Sequence, residues 1–277
     1  MAQINSADVG KLREKTGAGM MDCKKALTEA DGDFEKAVDI IRKKNANISV
    51  KASLREAREG VIVRFITPDS RAGILVEVNC VTDFVGRNDE FRAFAADVAK
   101  RQLANPGTDF EAERAALVAK TGENIKIARH HAMTVTGNGL VAAYIHTGEK
   151  VGVLVEVGAG KAETLAREEF KQLVRDITLQ IAAASPTSVT RDEVKPAVLA
   201  KEREILAEQV KGKPPQIVEN IVKGKLEKFF QTHCLVDQVF VKAEESVKDH
   251  IAAVARQLGD EVAVRRFVRF QVGEVTE

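Results

Sequence analysis

Gly60-Val61-Ile62-Val63-Arg64-Phe65-Ile66 has a counterpart 79 residues further on, Gly139-Leu140-Val141-Ala142-Ala143-Tyr144-Ile145. The same offset of 79 joins Gly73-Ile74-Leu75-Val76-Glu77-Val78 to Gly152-Val153-Leu154-Val155-Glu156-Val157. It continues without a gap into a helical stretch, where Phe91, Phe94, Ala95 and Val98 meet Phe170, Leu173, Val174 and Ile177. Each copy reads strand, turn, strand, loop, amphipathic helix. Chance can produce one matching hexapeptide. A register kept across two strands and a helix is a duplication.

A second shared element follows at a larger offset. Gly122-Glu123-Asn124-Ile125-Lys126-Ile127-Ala128-Arg129 resembles Gly259-Asp260-Glu261-Val262-Ala263-Val264-Arg265-Arg266, an offset of 137. The growth from 79 to 137 places an insertion of 58 residues in the second copy, at about 185–243. Within it, Asp192 to Val210 and Gln216 to Phe230 read as helices separated by Gly212, Pro214 and Pro215. Val194, Val198, Leu199, Ile205, Leu206 and Val210 can face Ile217, Ile221, Val222, Leu226 and Phe229, which describes an antiparallel helical hairpin. The duplicated core is α+β, antiparallel sheet with helices on one face. It lacks the βαβ rhythm of a nucleotide-binding domain.

Residues 1–45 read as a small three-helix bundle. Asn5 and Ser6 can cap the first helix, which stops at Thr16-Gly17. Met20 to Ala30 forms the second, and Asp33 caps the third. Phe34, Ala37, Val38 and Ile41 give that helix an apolar stripe. A bundle this small suits presenting a surface better than enclosing a catalytic pocket. Residues 46–59 form a partly helical linker, 60–138 the first core copy, and 139–277 the second with its insertion.

The chain of 277 residues carries 42 Lys and Arg against 41 Asp and Glu, a net charge of +1. Proteins that track phosphate backbones carry a surplus of basic residues, so nucleic acid is not an expected partner. The aromatic content is skewed, with Trp 0, Tyr 1 and Phe 12. Phe has no hydrogen-bonding handle, so most of these rings belong in the core and an exposed one needs a reason. Cys23, Cys80 and Cys234 are sparse and odd in number, which is neither a disulfide framework nor a zinc site. The first residues lack the basic and apolar regions of a secretory signal. No run reaches the roughly 18 apolar residues of a membrane span. A cytoplasmic protein with no membrane partner is expected.

Comparing the copies isolates what is not repeated. Asn79-Cys80-Val81-Thr82-Asp83-Phe84-Val85-Gly86 in the first stands where the second has Gly158-Ala159-Gly160-Lys161-Ala162-Glu163-Thr164-Leu165. Function concentrates in loops held by a rigid scaffold. On the residues alone Asp83-Phe84 has two readings: Asp83 caps a turn and Phe84 packs inward, the commoner arrangement for such residues, or the pair is exposed for contact. Gly158-Ala159-Gly160-Lys161 fails as a phosphate loop, because Val155 and Ala162 stand where a Gly and a Ser or Thr are required. His130 and His131 are neighbours on a strand and point to opposite faces, so they cannot share a metal. No nucleophile–base arrangement is discernible.

Two strings resemble the elongation factor Ts family. Thr16-Gly17-Ala18-Gly19-Met20-Met21-Asp22-Cys23-Lys24-Lys25-Ala26-Leu27 is similar to its N-terminal signature, and Glu77-Val78-Asn79-Cys80-Val81-Thr82-Asp83-Phe84-Val85 to its second. The order of segments, the duplication and the hairpin agree, so the resemblance spans essentially the whole chain. It implies a UBA-like head, a coiled-coil hairpin, and a translation factor that promotes GDP release from elongation factor Tu without covalent chemistry or a cofactor of its own. GDP and Mg2+ belong to the partner. The resemblance assigns Thr82, Asp83, Phe84 and Val85 to dislodging that magnesium, and Leu12, Met20, Met21, Gly122 and His146 to partner contacts. At Thr121, relatives can carry a larger apolar residue. The hairpin corresponds to a coiled-coil or dimerisation module, so a homodimer through hairpin or core is compatible with it. The chain ends soon after Phe270-Gln271-Val272-Gly273-Glu274, where some relatives continue into a further helical module, so that contact is expected to be reduced. The alternatives are an adaptor that binds proteins through its head, and a hydrolase or transferase using His130, His131 or Asp83. Loss of Asp-Phe from the second copy, with the scaffold kept, favours the exchange reading over the adaptor.

Overall fold

The computed structural model describes residues 4–210 and 215–274. The head consists of α1 (Ser6–Thr16), α2 (Met20–Glu29) and α3 (Phe34–Ala52). The expected caps are present: the Asn5 side chain accepts from the Asp8 amide, Asp33 accepts from Lys36, and Gly17 closes α1 at φ 67°. Leu12, Cys23, Leu27, Ala37, Val38 and Ile41 form its core. Helix α3 continues to Ala52, through the first half of the stretch read as linker. Its far end is ordered by packing: Asn45, Ser49 and Ala52 are buried.

The first copy comprises β1 (Glu59–Ile66), β2 (Ala72–Cys80), the one-turn helix α4 (Asp83–Gly86), α5 (Asp89–Ala104), α6 (Glu111–Thr121) and β3 (Lys126–Thr134). The second comprises β4 (Gly139–Ile145), β5 (Val151–Ala159), α7 (Glu168–Ala184), α8 (Pro196–Glu208), α9 (Pro215–His233), α10 (Val247–Leu258) and β6 (Val262–Gln271). Each makes a three-stranded antiparallel sheet, ordered β1-β2-β3 and β4-β5-β6. A bulge in the third strand falls at the same repeat position of each sheet, Ala128 of β3 opposite Glu77/Val78 and Arg265 of β6 opposite Glu156/Val157. Helices α6 and α10, to which the sequence reading assigned no element, end on the matched glycines Gly122 and Gly259, at φ 72° and 62°. Arg114 of α6 ties the head to the first copy. One guanidinium nitrogen donates to Ser49 Oγ of α3 at 2.6 Å and another to the Ile125 carbonyl at 2.7 Å.

The two sheets pack face to face. Ile62, Leu75 and Met133 meet Val141, Leu154 and Phe270. Gly73 and Gly152 stand at equivalent positions in this interface, where a Cβ on Gly152 would lie 2.5 Å from Ile62 Cγ2 and one on Gly73 2.9 Å from Val141 Cγ1. The outer face of the first sheet is covered by α5, through Phe91, Ala95 and Val98. Helix α7 covers the second through Phe170, Leu173, Val174 and Ile177.

Reciprocal hydrogen bonds join the copies about a pseudo-twofold axis. The Ile62 amide donates to the Glu149 carbonyl at 2.7 Å, and its equivalent Val141 to the Ser70 carbonyl at 2.8 Å. Arg129 donates to the Gln271 carbonyl at 3.0 Å, and its equivalent Arg266 to the Thr134 carbonyl at 2.8 Å. Each arginine also binds a buried carboxylate of its own sheet, Arg129 to Glu77 at 2.7 Å and Arg266 to Glu156 at 2.8 Å.

The insertion differs in detail from the sequence expectation. Helix α8 starts at Pro196 rather than Asp192, because Lys195, preceding a proline, is extended at φ −55°, ψ 132°. Gly212 and Pro214 lie outside the described residues. Leu206, Val210 and Leu226 are buried, whereas Val198, Ile205 and Ile217 are exposed. Two helices without a third layer cover only a narrow stripe of each other.

Candidate functional site

Strand β2 ends in the core at Cys80, and the chain turns at once into α4. Thr82 caps α4: its hydroxyl accepts from the Val85 amide at 3.4 Å. The cap therefore belongs to Thr82 and not to Asp83. Asp83 opens the helix and pairs with Arg87 at 2.9 Å. Phe84 is 81% exposed. The reading in which its ring packs inward is thus overturned, and the reason is local. A one-turn helix buries one side only, and Val85 and Gly86 occupy that side.

The exposed ring stands on a stiff base. The Gly86 amide donates to the Thr82 carbonyl at 3.2 Å, Arg87 to Asp83 at 3.0 Å, and Asn88 to Val85 at 3.0 Å. Asn88 then caps α5 by accepting from the Glu90 and Phe91 amides. Cys80 Sγ donates to the Thr82 carbonyl at 3.1 Å from beneath. Burial pushes the Cys80 thiol up to about 12, and the nearby Glu123 charge adds to the effect. That thiol stays protonated and serves the turn as a donor.

From the other side the turn is gripped by Glu123. Its carboxylate accepts from the Val81 amide at 3.1 Å, the Thr82 amide at 3.0 Å and the Thr82 hydroxyl at 2.6 Å. Sequence reasoning passed over this residue, because its partners lie more than 40 residues away. A signal existed: the position is acidic in both copies, Glu123 and Asp260. Asp260 accepts from the Lys161 amide at 2.9 Å and the Thr164 hydroxyl at 2.6 Å. Lys161 is the repeat equivalent of Thr82, so the carboxylate grip is common to both copies and only the gripped loop differs.

The remaining candidates are distributed over several elements. Gly122 caps α6 in an exposed left-handed conformation directly beside Glu123, so it belongs with the Thr82–Val85 turn. Met20 and Met21 open α2 at 50% and 65% exposed, a solvated apolar pair on the head. Leu12 is fully buried beside Cys23 and Leu27, and in this conformation it supports the head from within. His146 is exposed just beyond β4, where its Nδ1 lies 3.0 Å from the Tyr144 hydroxyl. His130 and His131 are consecutive on β3, and His130 Nε2 lies 3.4 Å from the Gln102 side chain. Among the described residues no group of three or more His, Cys, Asp or Glu is placed to hold a metal. Among them, too, no helix is long and apolar enough to cross a membrane. These residues thus form a hydrogen-bonded turn with a solvated aromatic tip, and separate exposed side chains on the head and at the end of β4.

Comparison with known proteins agrees with this architecture. The family model for elongation factor Ts matches residues 81–274. The chain is 40% identical to elongation factor Ts of Chloroherpeton thalassium, over 99% of this chain and 100% of that protein. It is 41% identical to elongation factor Ts of Nautilia profundicola, over 99% and 94%. It is 39% identical to that of Nitratidesulfovibrio vulgaris, over 98% and 96%. With a duplicated core, a helical head and near-complete coverage of these relatives, the chain belongs to the elongation factor Ts family of translation elongation factors.

Proposed function

We propose that this protein promotes release of GDP from elongation factor Tu by inserting the Asp83-Phe84 turn beside the partner's nucleotide site. The observation that carries this reading is the 81% exposure of Phe84 on a turn whose flanking backbone is hydrogen-bonded at Thr82, Asp83, Val85 and Gly86. A large apolar ring held in water gains free energy only when a partner covers it. GDP is bound through phosphates neutralised by a magnesium ion. A wedge at Thr82–Val85 that displaces the groups holding that ion leaves the phosphate charge uncompensated, and the nucleotide departs. Met20 and Met21 anchor the head on the partner, Leu12 supports them, and Gly122 and His146 supply further contacts. The chain performs no covalent step and needs no cofactor of its own. It acts in the cytoplasm, where its partner works.

The energetics follow from linkage. An exchange factor must bind the nucleotide-free partner better than the GDP-bound one, or it shifts nothing. Nucleotide then loosens the factor by the same ratio, so GTP binding releases it. A near-neutral surface fits this role, since the protein acts beside a phosphate group without holding one. The adaptor reading leaves the exposed Phe84 without a purpose. The test is stopped-flow release of fluorescent GDP from elongation factor Tu with increasing amounts of this protein. Saturable acceleration supports the reading, and a release rate independent of the protein refutes it.

A further inference from the structure

We infer that Glu123 is a positioning residue for exchange: its carboxylate holds the Thr82–Val85 turn in the geometry that presents Phe84, and fixes that turn relative to the Gly122 contact. The inference rests on the exchange reading and extends it to a residue outside the turn.

The geometry supports a specific task. Glu123 Oε2 takes the two consecutive amides of Val81 and Thr82, which would otherwise point out of the end of β2 without strand partners. Oε1 accepts a hydrogen bond from the Thr82 hydroxyl at 2.6 Å. With its proton directed at Glu123, the Thr82 oxygen has a lone pair free for the Val85 amide. A chain of donors thus runs from Val85 through Thr82 to the carboxylate, and Phe84 sits inside it. Hydrogen bonds to a charged acceptor are shorter and stronger than neutral ones. Glu123 itself is aimed by its surroundings. Gly122 turns the chain at φ 72°, Thr121 Oγ1 accepts from the Glu123 amide at 3.3 Å, and the next residue, Asn124, donates to the Arg55 carbonyl at 2.7 Å.

The second copy provides an internal control. Asp260 grips its loop in the same place, through Lys161 and Thr164. There Lys161 Nζ also donates to the Gly259 carbonyl at the end of α10 at 2.9 Å, and the position equivalent to Phe84 holds the exposed charge of Glu163. Asp260 therefore holds a loop with no aromatic tip. If Glu123 did the same and no more, removing either acid would weaken the fold alike and leave exchange untouched.

The experiment compares the full-length wild type with Glu123→Ala, Glu123→Asp and Asp260→Ala. For each, fluorescent GDP release from elongation factor Tu is followed against factor concentration, to separate the limiting rate from half-saturation. Amide hydrogen exchange at Val81, Thr82 and Val85 and the melting temperature are measured alongside. Glu123→Ala is expected to lower the limiting rate by about tenfold or more, the scale of a misplaced reacting geometry, with faster exchange at those amides and unchanged protection in β1 and β5. Glu123→Asp is expected to recover part of the rate, and Asp260→Ala to retain the wild-type limiting rate. A wild-type limiting rate in Glu123→Ala, or an equal loss in Asp260→Ala, overturns the positioning role alone. A wild type that leaves GDP release unaccelerated refutes the exchange reading, and this role with it.

Discussion

Phe84 and Glu163 stand at equivalent positions of the two copies, and both side chains are exposed. The fold therefore places this position in solvent wherever it occurs. Glu163 is what solvation favours there, whereas Phe84 forgoes burial of a large apolar surface. The copies share the strand, the acidic grip and the covering helix, so the difference lies in what the first copy's turn is for.

The head contact can be separated from the wedge. Met21 is 65% exposed and outside the head's core, so Met21→Ala should leave the melting temperature unchanged. Truncating an apolar anchor at an interface costs about 1–2 kcal/mol. Half-saturation in the GDP-release titration should rise about tenfold, with the limiting rate retained. Unchanged half-saturation would remove Met21 from the interface.

The sheet-to-sheet contact sets a size limit at Gly152. A Cβ there meets Ile62 at 2.5 Å and Leu75 at 2.8 Å. Gly152→Ala should destabilise the protein by about 1–3 kcal/mol, the usual range for overpacking a core. Denaturant unfolding would read this as a lower midpoint with an unchanged slope. A variant as stable as the wild type would show that the sheets can move apart freely.

The buried carboxylate of Glu156 makes stability depend on acid. Burial alone would raise its pKa, but hydrogen bonds from Arg265 and Arg266 outweigh burial and hold it below the usual carboxylate value. A depressed folded-state pKa contributes stability that is present above the unfolded value, about 4.3. That stability is lost as pH falls through the folded value. Glu156→Gln should therefore be less stable than the wild type at pH 7, and the gap should narrow on acidification below about pH 4.3. A gap that stays constant from pH 7 to pH 3 would show that the carboxylate charge contributes nothing.

Much of the fold was legible in the sequence because the duplication preserved contact geometry. Ile62 and Val141 make the reciprocal inter-sheet bonds, Gly73 and Gly152 fill the same close approach, and Phe91 and Phe170 anchor the same helix. A repeat in sequence was therefore a repeat in space. The head was legible through its caps, since Asn5, Gly17 and Asp33 act within three or four residues of themselves. Helix α6 was not, because its N-cap position is Phe110, which offers no side-chain cap, and its apolar positions are mostly alanine. The site was half legible. Asp83-Phe84 stood out against the second copy, but whether Phe84 faced water depended on Val85 and Gly86 filling the inner side of a single turn. Glu123 looked like one more surface acid, since its partners are distant in sequence. The cross-copy reach of Arg129 to Gln271 was hidden for the same reason.

In the proposed mechanism the Phe84 ring itself drives release. The direct test is the limiting rate of fluorescent GDP release from elongation factor Tu at saturating Phe84→Ala, compared with the wild type. Because the ring is solvated, the variant should melt at the wild-type temperature and keep its circular dichroism. Its limiting rate is expected to be lower by about tenfold or more, the effect of removing a buried interface anchor. A Phe84→Ala protein that releases GDP as fast as the wild type would contradict this mechanism.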